Sequence, residues 1–194
     1  MMKRNIRTIL RLIVIVALLP SLLMVTRSQT TFAAPSDPQA FVNMTEEQRA
    51  QAAKNMTQNE KEMIMNEFSK QNATVNESMN ETKMTNDTMI LMGNFVEAGD
   101  GFHKAEGIVK VINLADGRTF LRLENLKITN GPDLYVYLSV GKDPSDIVNL
   151  GRLKGNIGNQ NYEIPAGTDL SKYDTVLIWC KAFSTLFGSA KLSS

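Results

Sequence analysis

Beyond Gly93 the chain is cut by turn residues into extended segments too short for ordinary helices, and this punctuation limits that half to a β architecture. TVLIWCKAF shows the pattern most sharply. With a period of two, Val176, Ile178, Cys180 and Ala182 share one face, while Leu177, Trp179 and Phe183 share the other. Both faces are apolar, as in a strand covered on both sides. LYVYLSV alternates the same way, with Leu134, Val136, Leu138 and Val140 on one face and Tyr135, Tyr137 and Ser139 on the other. GIVKVINL and TFLRLENL flank Ala115-Asp116-Gly117-Arg118, a hairpin turn in which Gly117 supplies the positive φ. Leu121 and Leu123 are expected to point inward. Asn130-Gly131-Pro132-Asp133 and residues 142–146 are further turns, and IVNLGRLKG and NQNYEIPAG are two more extended pieces. A helical period is confined to Leu170–Tyr173. About seven short strands in roughly 100 residues predict an all-β domain over 94–194, an antiparallel β-sandwich or a barrel-like closure.

The preceding residues obey other rules. Trp179 and all four Tyr lie after residue 93, whereas none of the eleven Met lies beyond Met92. Residues 35–93 read as a polar stalk, partly helical and partly disordered. Thr45 with Gln48 and Thr57 with Glu60 fit the capping box, so helices are expected to start there. Their apolar faces are thin, consisting of Met56 and then Met63, Ile64 and Phe68. Residues 1–34 carry Lys3, Arg4, Arg7, Arg11 and Arg27 without an acid, followed by an apolar run and a small-residue Ala33-Ala34 cleavage site. They read as a signal peptide or as a retained membrane anchor, with membrane association through residues 10–25. Either way the remainder is expected outside the cytoplasm, secreted or anchored to the outer face of the cell membrane. Residues 35–194 hold 16 basic and 20 acidic side chains, and no basic patch points to nucleic acid.

The stalk carries N-x-S/T acceptors at Asn43, Asn55, Asn72, Asn76, Asn80 and Asn86. Six of its eight Asn are in acceptors, against none of the eight after residue 93, so a glycosylated stalk is expected; a polar linker of drifted repeats is the alternative. Met63, Met65, Met79, Met84, Met89 and Met92 are weak copper candidates, because thioether sulfur suits Cu(I), with helix packing as the default. Motifs of hydrolytic chemistry, such as G-x-S-x-G and H-E-x-x-H, are absent from the sequence. Asp133, Asp143 and Asp146 read as solvated turn charges.

The run Gly131-Pro132-Asp133-Leu134-Tyr135-Val136-Tyr137-Leu138-Ser139, then Asn149-Leu150-Gly151, Leu153-Lys154-Gly155, Asn161-Tyr162-Glu163-Ile164-Pro165 and Trp179-Cys180-Lys181, resembles the electron-transfer DM-thirteen domain family over about residues 94–192. The resemblance implies an all-β extracytoplasmic domain with a redox role. It implies that Cys180 acts as a thiol or holds a prosthetic group such as haem, with His103, at a place where the family often has histidine, as the natural second ligand. His with Cys would suit copper or haem iron. With one Cys, an internal disulfide cycle is excluded, so a redox thiol needs a partner protein. Two readings stay open. One is an exported redox module using Cys180 and His103, serving a redox or surface protein. The other is a binding or adhesion β-sandwich in which Cys180 is a core residue and His103 a surface-loop histidine.

Overall fold

The computed structural model describes residues 37–79 and 84–194, with residues 84–90 described as backbone. The expected signal or anchor segment, residues 1–34, and Asn80 lie outside the described residues. Strands form where apolar residues alternate. The two longest, β4 (Ala105–Leu114) and β5 (Thr119–Ile128), fold back on each other at residues 115–118. There Gly117 adopts φ 86° and its N–H donates to the Leu114 carbonyl at 2.9 Å, the turn that the sequence predicts. β8 (Ile157–Ile164) extends this sheet on the β5 side. The second sheet is built on β6 (Leu134–Ser139) between β7 (Ile147–Arg152) and β9 (Thr175–Cys180), with β10 (Thr185–Lys191) beyond β9.

The stretch up to Asn94 supplies two more strands, and a short third follows it. β1 (Thr74–Asn76) pairs in parallel with β8, β2 (Met84–Asn94) pairs with β4, and β3 (Val96–Glu97) pairs with β10. The sheets therefore run β1-β8-β5-β4-β2 and β3-β10-β9-β6-β7, antiparallel except at β1. Two separate sheets make a sandwich, not a barrel. Val109, Val111, Leu121 and Leu123 from one sheet share a core with Val136, Leu138, Val176, Ile178 and Cys180 from the other. The alternation read from the sequence thus places the right faces inward. Val140 is a correction: β6 ends one residue earlier, and Val140 is exposed. The helical period at Leu170–Tyr173 is another, since these residues form a turn in which Asp169 accepts from the Ser171 and Lys172 amides.

Helices α1 (Pro38–Val42), α2 (Glu46–Asn55) and α3 (Gln58–Ser69) precede the sheets. Both predicted capping boxes form. The Thr45 hydroxyl accepts from the Gln48 amide at 3.3 Å and Gln48 Oε1 from the Thr45 amide at 2.8 Å; Thr57 and Glu60 do the same at 3.3 and 2.7 Å. Each cap is worth about 1 kcal/mol. That does not hold such short helices by itself, and tertiary contacts supply the rest. Phe41, Ala52, Ala53, Met56, Ile64 and Phe68 bury themselves against one another and against Ala182 and Phe183, with the Phe41 and Phe183 rings 5.3 Å apart. Arg49 and Asp133, 4% and 1% exposed, meet at 2.9 Å. The Tyr135 hydroxyl donates to Glu46 at 3.0 Å, and Lys181 pairs with the same carboxylate. The helices of the expected stalk are thus packed on the sheets, and the described residues form one compact unit. Two further corrections follow. Asp133 is buried, not a solvated turn charge, because Arg49 and Arg152 compensate it at 2.9 and 3.3 Å. Met63, expected on the apolar face of α3, is 68% exposed, and Met65 is buried in its place.

Candidate functional site

Cys180 closes β9 opposite Leu134 of β6 and Thr185 of β10, and it is 0% exposed. Burial pushes its thiol up to about 12, with the nearby Asp133 charge adding to the rise. At neutral pH it is a protonated group among aliphatic side chains, the opposite of a reactive thiolate. Lys181, next in sequence, lies on the other face against Glu46 and over the Tyr135 ring at 5.3 Å, as alternation requires. The geometry of Cys180 is that of a small hydrophobe in a core.

His103 departs from the surface-loop expectation. It is 5% exposed, held by a loop of which Asp100 is the clamp. One Asp100 oxygen accepts from the Phe102 and His103 amides at 3.0 and 2.9 Å, and the other meets His103 Nδ1 at 2.5 Å. Burial opposes the Asp100 charge, but these hydrogen bonds outweigh it and hold the carboxyl below its usual value. On the far side of the loop, the Thr129 hydroxyl accepts from the Lys104 amide at 2.8 Å. The imidazole lies 4.0 Å from the Phe187 ring and edge-on to Phe102 at 5.0 Å. Its Nε2 is shut off from solvent and has no hydrogen-bond partner.

His103 lines a cleft of about 470 Å³ with three walls. One is α3, through Lys61, Glu62 and Met65; the second is the loop with Asp100 and Phe102; the third is the β9–β10 turn, through Phe183 and Thr185. The turn residue Ser184 has φ 50°, a strained conformation for a side chain with a Cβ. The volume is within the range of small-molecule and cofactor sites. An Asp–His pair with Nδ1 engaged and Nε2 unpartnered is the arrangement in which imidazole holds a metal. An orphaned buried nitrogen beside a cleft therefore fits a bound redox group, and Cys180 does not line that cleft. No hydrogen bond or ion pair among the described residues joins Cys180 to His103, and no three His, Cys, Asp or Glu side chains there assemble a metal cage.

The other candidates disperse. Met63 is exposed, Met65 enters the cleft wall, Met79 is half-buried and Met92 is exposed, while the Met84 and Met89 side chains lie outside the described residues. Asn43, Asn55, Asn72 and Asn76 are exposed, though Asn72 and Asn76 also accept from Asn156 and Asn159 at 3.2 and 3.5 Å; the Asn86 side chain is outside the described residues. No helix among the described residues is long and apolar enough to cross a membrane. Sequence reasoning found His103 and named Met65 among the copper candidates, but missed Asp100 and the buried Arg49–Asp133 pair. The Asp-Gly-x-His spacing was the available signal for the first, since Asp accepts from amides two and three residues on.

A family model described as electron transfer DM13 matches residues 95–192, half of the chain. The match takes in Asp100, His103 and Cys180 but not α3. No curated protein and no solved structure matches the chain.

Proposed function

As the chain belongs to the electron transfer DM13 family, we propose that it is an extracytoplasmic electron-transfer module whose redox group is held in the cleft at His103, with Cys180 serving the core. Export rests on the basic start and apolar run of residues 1–34. The observation that carries the site is His103 Nε2, buried and unpartnered while Asp100 occupies Nδ1. A haem iron or copper ion bound there would supply one-electron chemistry. The chain's own residues do the positioning. Asp100 fixes the tautomer with the proton on Nδ1, so that the lone pair lies at Nε2. Phe102 and Phe187 hold the ring plane and keep water from it. Met65, Phe102 and Phe183 are the apolar part of a cleft lined otherwise by polar and charged side chains.

The buried, protonated state of Cys180 supports its role in packing, and with it a redox function independent of a partner's thiol. The test is an absorption spectrum with metal analysis on full-length chain made by an exporting host, followed by titration with haemin and with copper. The expected result is one bound group per chain, lost in His103→Ala. Protein that is colourless, metal-free and unable to take up either group would overturn the proposal.

A further inference from the structure

We infer that the group in the cleft is a single copper(I) ion, bound by His103 Nε2 and the Met65 thioether, an inference that rests on the cleft being the redox site. Four observations carry it. First, Asp100 engages Nδ1 at 2.5 Å, which leaves Nε2 as the metal-binding nitrogen. Second, Nε2 is buried without a partner, a desolvated state that a bound cation relieves. Third, Met65 is the thioether of the same cleft, and it is turned inward where Met63, two residues earlier, is turned out. Imidazole with thioether is a soft donor set. It suits Cu(I), an ion stable with few ligands, whereas no three His, Cys, Asp or Glu side chains among the described residues gather to serve zinc or a harder cation.

The fourth observation separates copper from haem. Nε2 is sealed from solvent, with Phe187 packed at 4.0 Å and Phe102 edge-on at 5.0 Å. A macrocycle needs open approach over the whole ring edge, which the sealed Nε2 does not offer. Met65 lies outside residues 95–192 and His103 within them, so this donor set joins the matched domain to the chain's own helical wall.

The experiment is anaerobic titration of the full chain with Cu(I) against bicinchoninate, beside a haemin titration followed in the Soret region. One tight Cu(I) per chain is expected. His103→Ala should weaken it by about 100-fold or more, Asp100→Asn by about 10–100-fold, and Met65→Leu by about tenfold. Met63→Leu, on the outward face of the same helix, should leave it unchanged. X-ray absorption of the loaded protein should show nitrogen and sulfur scatterers together. Circular dichroism checks each variant, and if His103→Ala fails to fold, the Asp100 and Met65 variants carry the test. Tight Cu(I) that survives His103→Ala, or is indifferent to Met65→Leu, overturns the inference. Haem uptake through His103 without tight copper overturns it too, but leaves the His103 redox site standing; failure to bind either group overturns both.

Discussion

Replacing Arg49 by Met tests whether the helices belong to the folded unit. The substitution keeps an apolar stem but removes the guanidinium that meets Asp133 at 2.9 Å, both groups being almost fully buried. The contact lacks hydrogen-bond alignment, so it acts as a charge pair. Breaking a buried pair from one side costs about 3–5 kcal/mol, because the remaining charge is left uncompensated. Arg152 still reaches Asp133 at 3.3 Å from a half-exposed position, which argues for the lower end. Arg49 Nη1 also donates to the Met44 and Val42 carbonyls at 2.5 and 3.3 Å, and losing these adds about 1 kcal/mol. The expected loss is about 3–4 kcal/mol by urea unfolding at neutral pH.

The loss should also depend on pH. Burial already raises the Asp133 carboxyl above its ordinary value, and without Arg49 it rises further. The folded state then favours the protonated form, so the deficit is smallest at low pH and grows as pH rises through the raised value. A change below about 0.5 kcal/mol would refute the reasoning, as would a larger deficit at pH 5 than at pH 8.

Cys180→Ala should cost about 1–2 kcal/mol as a core deletion, and the native thiol should resist iodoacetamide until urea unfolds the chain; rapid alkylation of folded protein would contradict its burial. A Cβ at Gly131 would meet the Phe187 ring at 2.6 Å, so Gly131→Ala should destabilise by about 1–3 kcal/mol and shift the His103 ring resonances in NMR; unchanged spectra would count against that packing. Burial opposes the charge of Glu77, but hydrogen bonds from Lys154 and the Asn161 amide outweigh it and hold the carboxyl below its ordinary value. Its contribution is present above the unfolded value and lost as pH falls through the lowered one. The protection factors of the β1 amides, next to Glu77, should therefore fall on acidification once the intrinsic exchange rate is divided out, and Glu77→Gln should abolish that dependence.

Alternation made most of the sandwich legible, because strands such as β6 and β9 put one face in the main core and the other in a second apolar cluster, and their periods show both. The capping boxes were equally readable, since the groups that satisfy one another lie three residues apart. What escaped was long-range. β1 and β2 are polar in sequence and join their sheet through backbone pairing, which composition does not reveal. Asp133 reads as a turn acid because its compensating Arg49 lies far along the chain, in a helix. Gly131 reads as a residue for reversing the chain, yet its need is the closeness of Phe187. His103 reads as exposed because one wall of its cleft comes from α3, in a segment with a thin apolar face. His103 and Met65 are thus each named by the sequence, but their meeting at one cleft is not.

The most direct test of the central claim is protein-film voltammetry of the loaded full chain beside its Cys180→Ala and His103→Ala variants. The account predicts a reversible one-electron wave in the parent that persists in Cys180→Ala and vanishes in His103→Ala. A wave that survives loss of His103 and disappears with Cys180 would contradict it.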